Sequence, residues 1–537
     1  MGSNFSNGQA GKGGLSKKAI LMTILAVLII GGSAAAFVLL NLSAKQQYFL
    51  AEKNSAEFIL EQVKERYEPE LAWQEVSLKN PTETTFELSG EYNDPNAMSG
   101  GFGVMGPSQI INNSAITVTT ELDREKKHMA TQIEASMGGM QVGNIEVYMT
   151  DKKVMLGLPF LEELVQLNGD DLGKLLKEID PEMFTGDEKL ELDSFFERSA
   201  GILDKEDQEY IKNEYLEMIY DAIPDDAFST SDETVNVESK SFDAKKITMH
   251  LTEKQLKDII GKVLNKMESD ERLKKIISEQ IVFQQFGAGI SSSTLTPDMQ
   301  NQVDELMGDF ETAIKEAQKG LEELNIPEGF KSVIWVHDDL IVKRNIEVKM
   351  GPSDDEMVNL TIDGSQVFTD TNQTFNYQFT GTDQTGEHTM TLTGDLEWKN
   401  NTAADSIKLA FGETELSYEG SETLKDSKRE FERTLSFKDA VQDGSLIWSG
   451  TSSYDNDRMT SEHDFAVEAP GVTQDMFGLH IEVNAKTIDA VQLESDKEIK
   501  NIGNMSMEEI NQYIENEVTP KFQQWIFGSM GGGMNGF

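Results

Sequence analysis

The chain has 537 residues, room for two to four domains at roughly 100 to 200 residues each, so a sizeable core is within reach. Its 94 acidic and 47 basic side chains give a formal charge of -47, which repels a phosphate backbone and excludes nucleic acid as a natural partner. The absence of cysteine excludes disulfides, thiolate metal sites, cysteine nucleophiles and a cysteine-borne lipid anchor.

The first element is "AILMTILAVLIIGGSAAAFVLLNL", Ala19 to Leu42. Its 22 residues from Ala19 to Leu40 carry no charge, enough for a helix to cross a bilayer core of about 30 Å. Lys12, Lys17 and Lys18 precede it without an acid, which places the N-terminus in the cytoplasm and the bulk outside. A cleaved signal peptide is the rival, since Ala34-Ala35-Ala36 suits a signal peptidase. The apolar run continues through Phe37, Val38, Leu39 and Leu40, beyond the usual signal length, which favours an uncleaved anchor. The expectation is a cytoplasmic tail over 1–18 and a single transmembrane helix over 19–42. Ile20, Leu21, Ile24, Leu25, Val27, Leu28, Ile29 and Ile30, with Phe37 to Leu40, form its anchor, and the chain lies in the cell membrane with its bulk extracytoplasmic.

Phe49, Ala56, Leu60, Val63 and Tyr67 recur at helical steps over 44–67. From Ala72 to Pro159 the period is two, as in Ile116-Val118-Thr120-Leu122, which predicts antiparallel strands and hairpins. Residues 160–222 read as acidic helices, and Lys246 to Leu251 as a strand. Thr252 with Gln255 has capping-box spacing, and Thr296-Pro297 opens a second helix, so 252–324 is helical. From Phe330 to about Thr487 nearly all the sequence alternates, which implies a sheet with one dry and one wet face. Ser506 and Glu509 cap a closing helix before a Gly/Met-rich tail. The predicted fold class is α+β: large curved antiparallel sheets packed on amphipathic helices behind a transmembrane helix. Its parts are an extracytoplasmic domain over 44–325, a meander domain over 326–505 and a closing segment over 506–537, divided near Asn325-Ile326-Pro327.

The stretch "ITVTTELDREKKHMATQIEASMGGMQVGNIEVYMTDKKVMLGLP", followed later by "ITMHLTEKQLKDIIGKVLNKMESDERLKKII", resembles LolA- and LppX-like half-barrel carriers and related membrane-anchored proteins of Gram-positive bacteria. The resemblance implies a half-barrel closed around helices, with an acyl chain or other hydrophobic ligand on its concave side.

Seven methionines from Met98 to Met155 fall within 58 residues. Met is adaptable, so such strands suit either ordinary core filling or a cavity for an irregular hydrophobic ligand. The candidate ligand-binding residues are Met129, Ile133, Met137, Met149 and Met155, with Phe102 and Met105 from the loop Asn96 to Gln109. That loop reads as a flap, a membrane-touching tip or a plain connection. Its G-x-G-x-x-G, Gly101 to Gly106, is followed by Pro107 and strand-like sequence rather than by a long helix, so no dinucleotide site is expected. The paired glycine-spaced methionines lack the further ligand that a Cu(I) site needs, and the acidic clusters lack EF-hand order. The six histidines lie singly, and no G-x-S-x-G, S-x-x-K, P-loop or H-E-x-x-H occurs. The expectation is a non-enzymatic protein with no cofactor and no metal. Its expected role is to hold a lipid or other hydrophobic ligand near the membrane, or to act as an envelope interaction or stress-response component. Its expected partners are the bilayer, a hydrophobic ligand or an envelope protein.

Overall fold

The computed structural model describes residues 42–93, 106–182, 184–197, 205–286, 295–493 and 497–531. Tight polar turns set the course of much of the chain. Asp338-Asp339, Asn400-Asn401 and Asp426-Ser427 all have φ between 48° and 63°, the double left-handed backbone of two-residue hairpin turns.

In chain order the strands are β1 Thr82–Tyr92, β2 Ala115–Asp123, β3 His128–Met137, β4 Met140–Thr150, β5 Lys153–Gly157, β6 Leu164–Asn168, β7 Phe228–Val237, β8 Lys240–Leu251, β9 Phe330–His337 and β10 Leu340–Met350. The meander follows as β11 Val358–Thr369, β12 Asn372–Asp383, β13 Gly386–Lys399, β14 Thr402–Phe411, β15 Thr414–Lys425, β16 Lys428–Lys438, β17 Asp443–Tyr454, β18 Arg458–Glu468 and β19 Phe477–Thr487, with a short β20 Ile499–Asn501 after it. They form one 20-stranded sheet. The order runs from β7 through β19, then through β1 to β6, and ends at β20. Every pair is antiparallel except β6 with β20. The ladder is open: β7 and β20 each have one hydrogen-bonded neighbour among the described residues.

Strand alternation sorts the side chains onto two faces. Met249, Ser332, Ile346, Ile362, Phe379 and Met390 are successive cross-strand partners and share one face. Over β7 to β11 this face is covered by α1 Ala44–Arg66, the short α3 Glu217–Ala222, α4 Glu253–Ser269 and α6 Pro297–Glu323. Tyr48, Phe49, Ile219, Leu256, Ile260 and Ile314 from the helices meet Ile247, Met249, Phe330 and Ile346 in one buried cluster. Ser43 with Gln46 boxes the start of α1, and Thr252 with Gln255 boxes α4. The chain turns at Tyr67 into α2 Glu68–Lys79, whose Pro69 sits in the first turn, where a missing N–H costs nothing. Between α4 and α6 lies α5 Glu271–Phe286, and the chain closes with α7 Thr519–Gly531.

The expected fold class is corrected. Instead of half-barrel sheets behind a transmembrane helix there is one continuous open sheet. β8 pairs with β9 across the helical insertion, and β19 returns to pair with β1. Among the described residues no helix is long and apolar enough to cross a membrane. Residues 19–41, expected to do so, lie outside the described residues. Two local readings also shift. Ala72 to Lys79 belongs to α2 rather than to a strand, and the acidic stretch read as helical contains β6.

Candidate functional site

The helix pair α1–α2 is a strut that crosses the apolar face from β10 to β17, anchored at its start by Tyr48 and Phe49 in the core and seated farther along by polar contacts. Arg344 of β10 donates to Glu52 at 2.7 Å, and Phe58 stacks on Phe368 of β11. At the α1–α2 junction Arg66 donates to Asp405 of β14 at 2.7 Å and to Glu422 of β15 at 2.6 Å. Arg429 of β16, 1% exposed, donates to Glu70, to Glu422 and to the Arg66 carbonyl, each at 2.6 Å. Arg433 completes the cluster with a 3.2 Å bond to Glu422. Three guanidinium groups thus face the three carboxylates of Glu70, Asp405 and Glu422. Such charges survive burial only when paired and hydrogen-bonded. Burial alone would raise the Glu422 carboxyl, but the hydrogen bond and charge of Arg66, the charge of Arg429 and the hydrogen bond of Arg433 hold it below the usual range.

Beside this strut the same face lies open. Ile407, Tyr418, Leu435, Leu446 and Val467 are successive cross-strand partners over β14 to β18. Trp448, Phe465 and Leu479 form the next row, stepping on to β19. Leu416, Leu435, Leu446, Val467, Leu479 and Ile116 are each 37 to 47% exposed. An exposed apolar surface of this kind marks an interaction site. Where the strut passes over β12 and β13, Val63 and Tyr67 border a small hollow with Leu396 and Trp398. Arg433 lies over the Phe431 and Trp448 rings at 4.4 and 4.6 Å and closes the aromatic end of the floor.

The opposite face is polar. One hollow of about 400 Å³ is lined by Asp395, Glu397, Ser406, Glu419, Glu432 and Thr434. Another, of about 500 Å³, holds Ser89, Glu91, Asp464 and His480, with the Asp464 carboxylate accepting from the His480 Nδ1 at 2.7 Å. Among the described residues no group of three or more His, Cys, Asp or Glu is placed to hold a metal ion.

Met129, Ile133, Met137 and Met149 come together on the apolar face. Met129 lies opposite Met149, and Ile133 opposite Ile145. Met129 is buried and Met137 is 54% exposed. Met155, 3% exposed, pairs with Tyr148 and so points to the other face. Phe102 and Met105 lie outside the described residues. The leucine floor of β15 to β19 and the charged seat of the strut were not among the expected site residues. One signal for the floor is in the sequence: a long alternating stretch after Phe330 is followed by a single helix, too little to cover its dry face.

No protein-family description matches this chain, and no curated protein does. Solved structures do. They include OpdQ of Pseudomonas aeruginosa, with 4% identity over 76% of this chain and 97% of that one and a TM-score of 0.23. They also include a BenF-like porin from Pseudomonas fluorescens Pf-5, with 7% identity over 76% and 98% and a TM-score of 0.21. A loop-deletion mutant of OmpT, an outer membrane protein of Vibrio cholerae, matches with 6% identity over 76% and 98% and a TM-score of 0.16. At these scores the likeness assigns neither pore nor transport to this chain. A membrane barrel closes its ladder, and this one ends at β7 and β20 among the described residues.

The resemblance to LolA- and LppX-like carriers is corrected by the fold: the strands join one continuous open sheet, with β8 paired to β9 and β19 to β1, rather than closing as a half-barrel around helices. With it go the half-barrel, the Gram-positive setting, the single-pass localisation and the membrane-anchored lipid holder or envelope-stress component. The two larger hollows are polar, and among the described residues no helix is long and apolar enough to span a bilayer.

Proposed function

We propose that this is a non-enzymatic binding protein that takes an apolar surface of a partner protein on the open part of its sheet. The observation that carries this is the leucine floor of β15 to β19, half-exposed on the same face that is densely covered over β7 to β11. Burial of apolar area contributes about 25 cal/mol per Å², so a partner covering this floor gains stability from a surface already ordered. The polar hollows of the other face do not offer such a gain.

A neutral solvatochromic dye tests the reading. The full-length chain is expected to enhance its emission and shift it to the blue, and Leu435→Ser with Leu446→Ser to reduce that enhancement severalfold. Glu419→Gln on the opposite face is the control and should leave it unchanged. Emission no greater than with a fully covered globular protein, or emission unaffected by the serine pair, would sink the proposal.

A further inference from the structure

We infer that the segment received by this floor is a cationic amphipathic helix lying alongside α1–α2, an inference that rests on the binding reading above. Three observations converge on that occupant. The chain already lays a helix pair across β10 to β17 of this face, so the sheet accepts a helix over β15 to β17, three of the five strands of the floor. The floor from Leu416 to Leu479 crosses five strands, β15 to β19. At strand spacing that is about 19 Å, the length of about 13 residues of helix.

The second observation is the wall. Leu60, Val63, Leu71 and Leu78 of α1–α2 are 42 to 56% exposed, and Val63 borders a hollow over Leu396 and Trp398 of β13 on the same face of the sheet. A helix laid on the floor buries an apolar stripe against the sheet, as amphipathic helices do in grooves, and these exposed helix residues add apolar surface on the same side of the molecule. The third is charge. The wall carries exposed Glu57, Glu65 and Glu68, and the turns at the far ends of the strands carry exposed Glu413, Asp443 and Asp475. The chain as a whole stands at -47. Acidic borders on both sides of an apolar floor repel an anionic occupant and complement a helix whose polar face is lysine or arginine. A second copy of this chain brings the same negative charge and is disfavoured for that reason.

Fluorescence anisotropy with an 18-residue Leu/Lys amphipathic peptide, a Leu/Glu analogue and a scrambled Leu/Lys peptide tests this on the full-length chain. The Leu/Lys helix should bind at least tenfold more tightly than either control. Its affinity should fall at least tenfold in Leu435→Ser/Leu446→Ser and severalfold in 0.5 M salt, about five times the ionic strength at which the screening length is 10 Å. Equal binding of the scrambled peptide, or affinity unmoved by the serine pair, overturns the inference. So does sedimentation showing that a second copy covers the face. Loss of the dye signal as well overturns the underlying binding reading, whereas dye enhancement without helix binding overturns only the occupant.

Discussion

At the scale of single residues, Glu422 is the group on which the strut depends. It accepts from Arg66, Arg429 and Arg433 at once and is buried between α1 and the sheet. Removing one partner from a buried ionic cluster leaves charge uncompensated, so Glu422→Gln is expected to cost about 3 kcal/mol in denaturant unfolding. Its carboxyl is depressed in the folded state. The stability it contributes is therefore complete above the ordinary glutamate value of about 4.3 and is lost as pH falls through the lower folded value. Acid titration followed by tryptophan emission should show stability falling below about pH 4, with a smaller pH-dependent component in Glu422→Gln. Nothing in the sequence marks this cluster. Arg429 and Glu70 are 359 positions apart, and each looks like one more charge in an acidic chain.

At the scale of elements, the hairpins carry their own instructions. The Asp426-Ser427 turn places two non-glycine residues at positive φ, where Asn-Gly is the best-fitting pair. Asp426→Asn with Ser427→Gly should raise stability by about 0.5 to 1 kcal/mol, read as a higher melting temperature. Glycines inside the strands have a different task. A Cβ on Gly394 would fall inside the Phe375 ring, and one on Gly364 inside the Tyr377 ring, because each aromatic side chain lies across its cross-strand glycine. Gly394→Ala should cost about 1 to 3 kcal/mol through overpacking, with an unfolding curve shifted to lower denaturant. Alternation and turn chemistry were enough to place most of β9 to β19 from sequence, and capping spacing was enough for α4 and α6. The short β6 escaped because its five residues, Leu164–Asn168, sit in an acidic stretch with helices on its far side.

At the scale of the whole molecule, the sheet is a chain of local hairpins closed by two distant pairings. β8 meets β9 across α4 to α6, and β1 meets β19 across almost the full length of the sheet. The expected division near Asn325 cuts both ladders. Expression of residues 326–505 alone is expected to give aggregated protein, because β9 and β19 each lose a partner and their exposed edges can pair between molecules. A soluble product with a cooperative melting transition would instead establish that stretch as a domain. The same architecture explains why the apolar face is covered at one end and open at the other. The helices that follow β8 pack over β7 to β11, and among the described residues the strut is what crosses the meander from β12 to β17.

The sequence by itself determined the strands of the meander, the capped helices and the absence of catalytic signatures. Each depends on residues two to four positions apart or on the two residues of a turn, which interact whatever the rest of the chain does. Only the tertiary structure decided that the strands make one open sheet, that Met155 turns away from the other methionines, and that three arginines seat a strut on Glu422. It also decided that a leucine floor stays uncovered beside that strut. Those features depend on which distant surfaces meet, and that choice is settled by the total area buried and charge paired across the molecule rather than by local spacing.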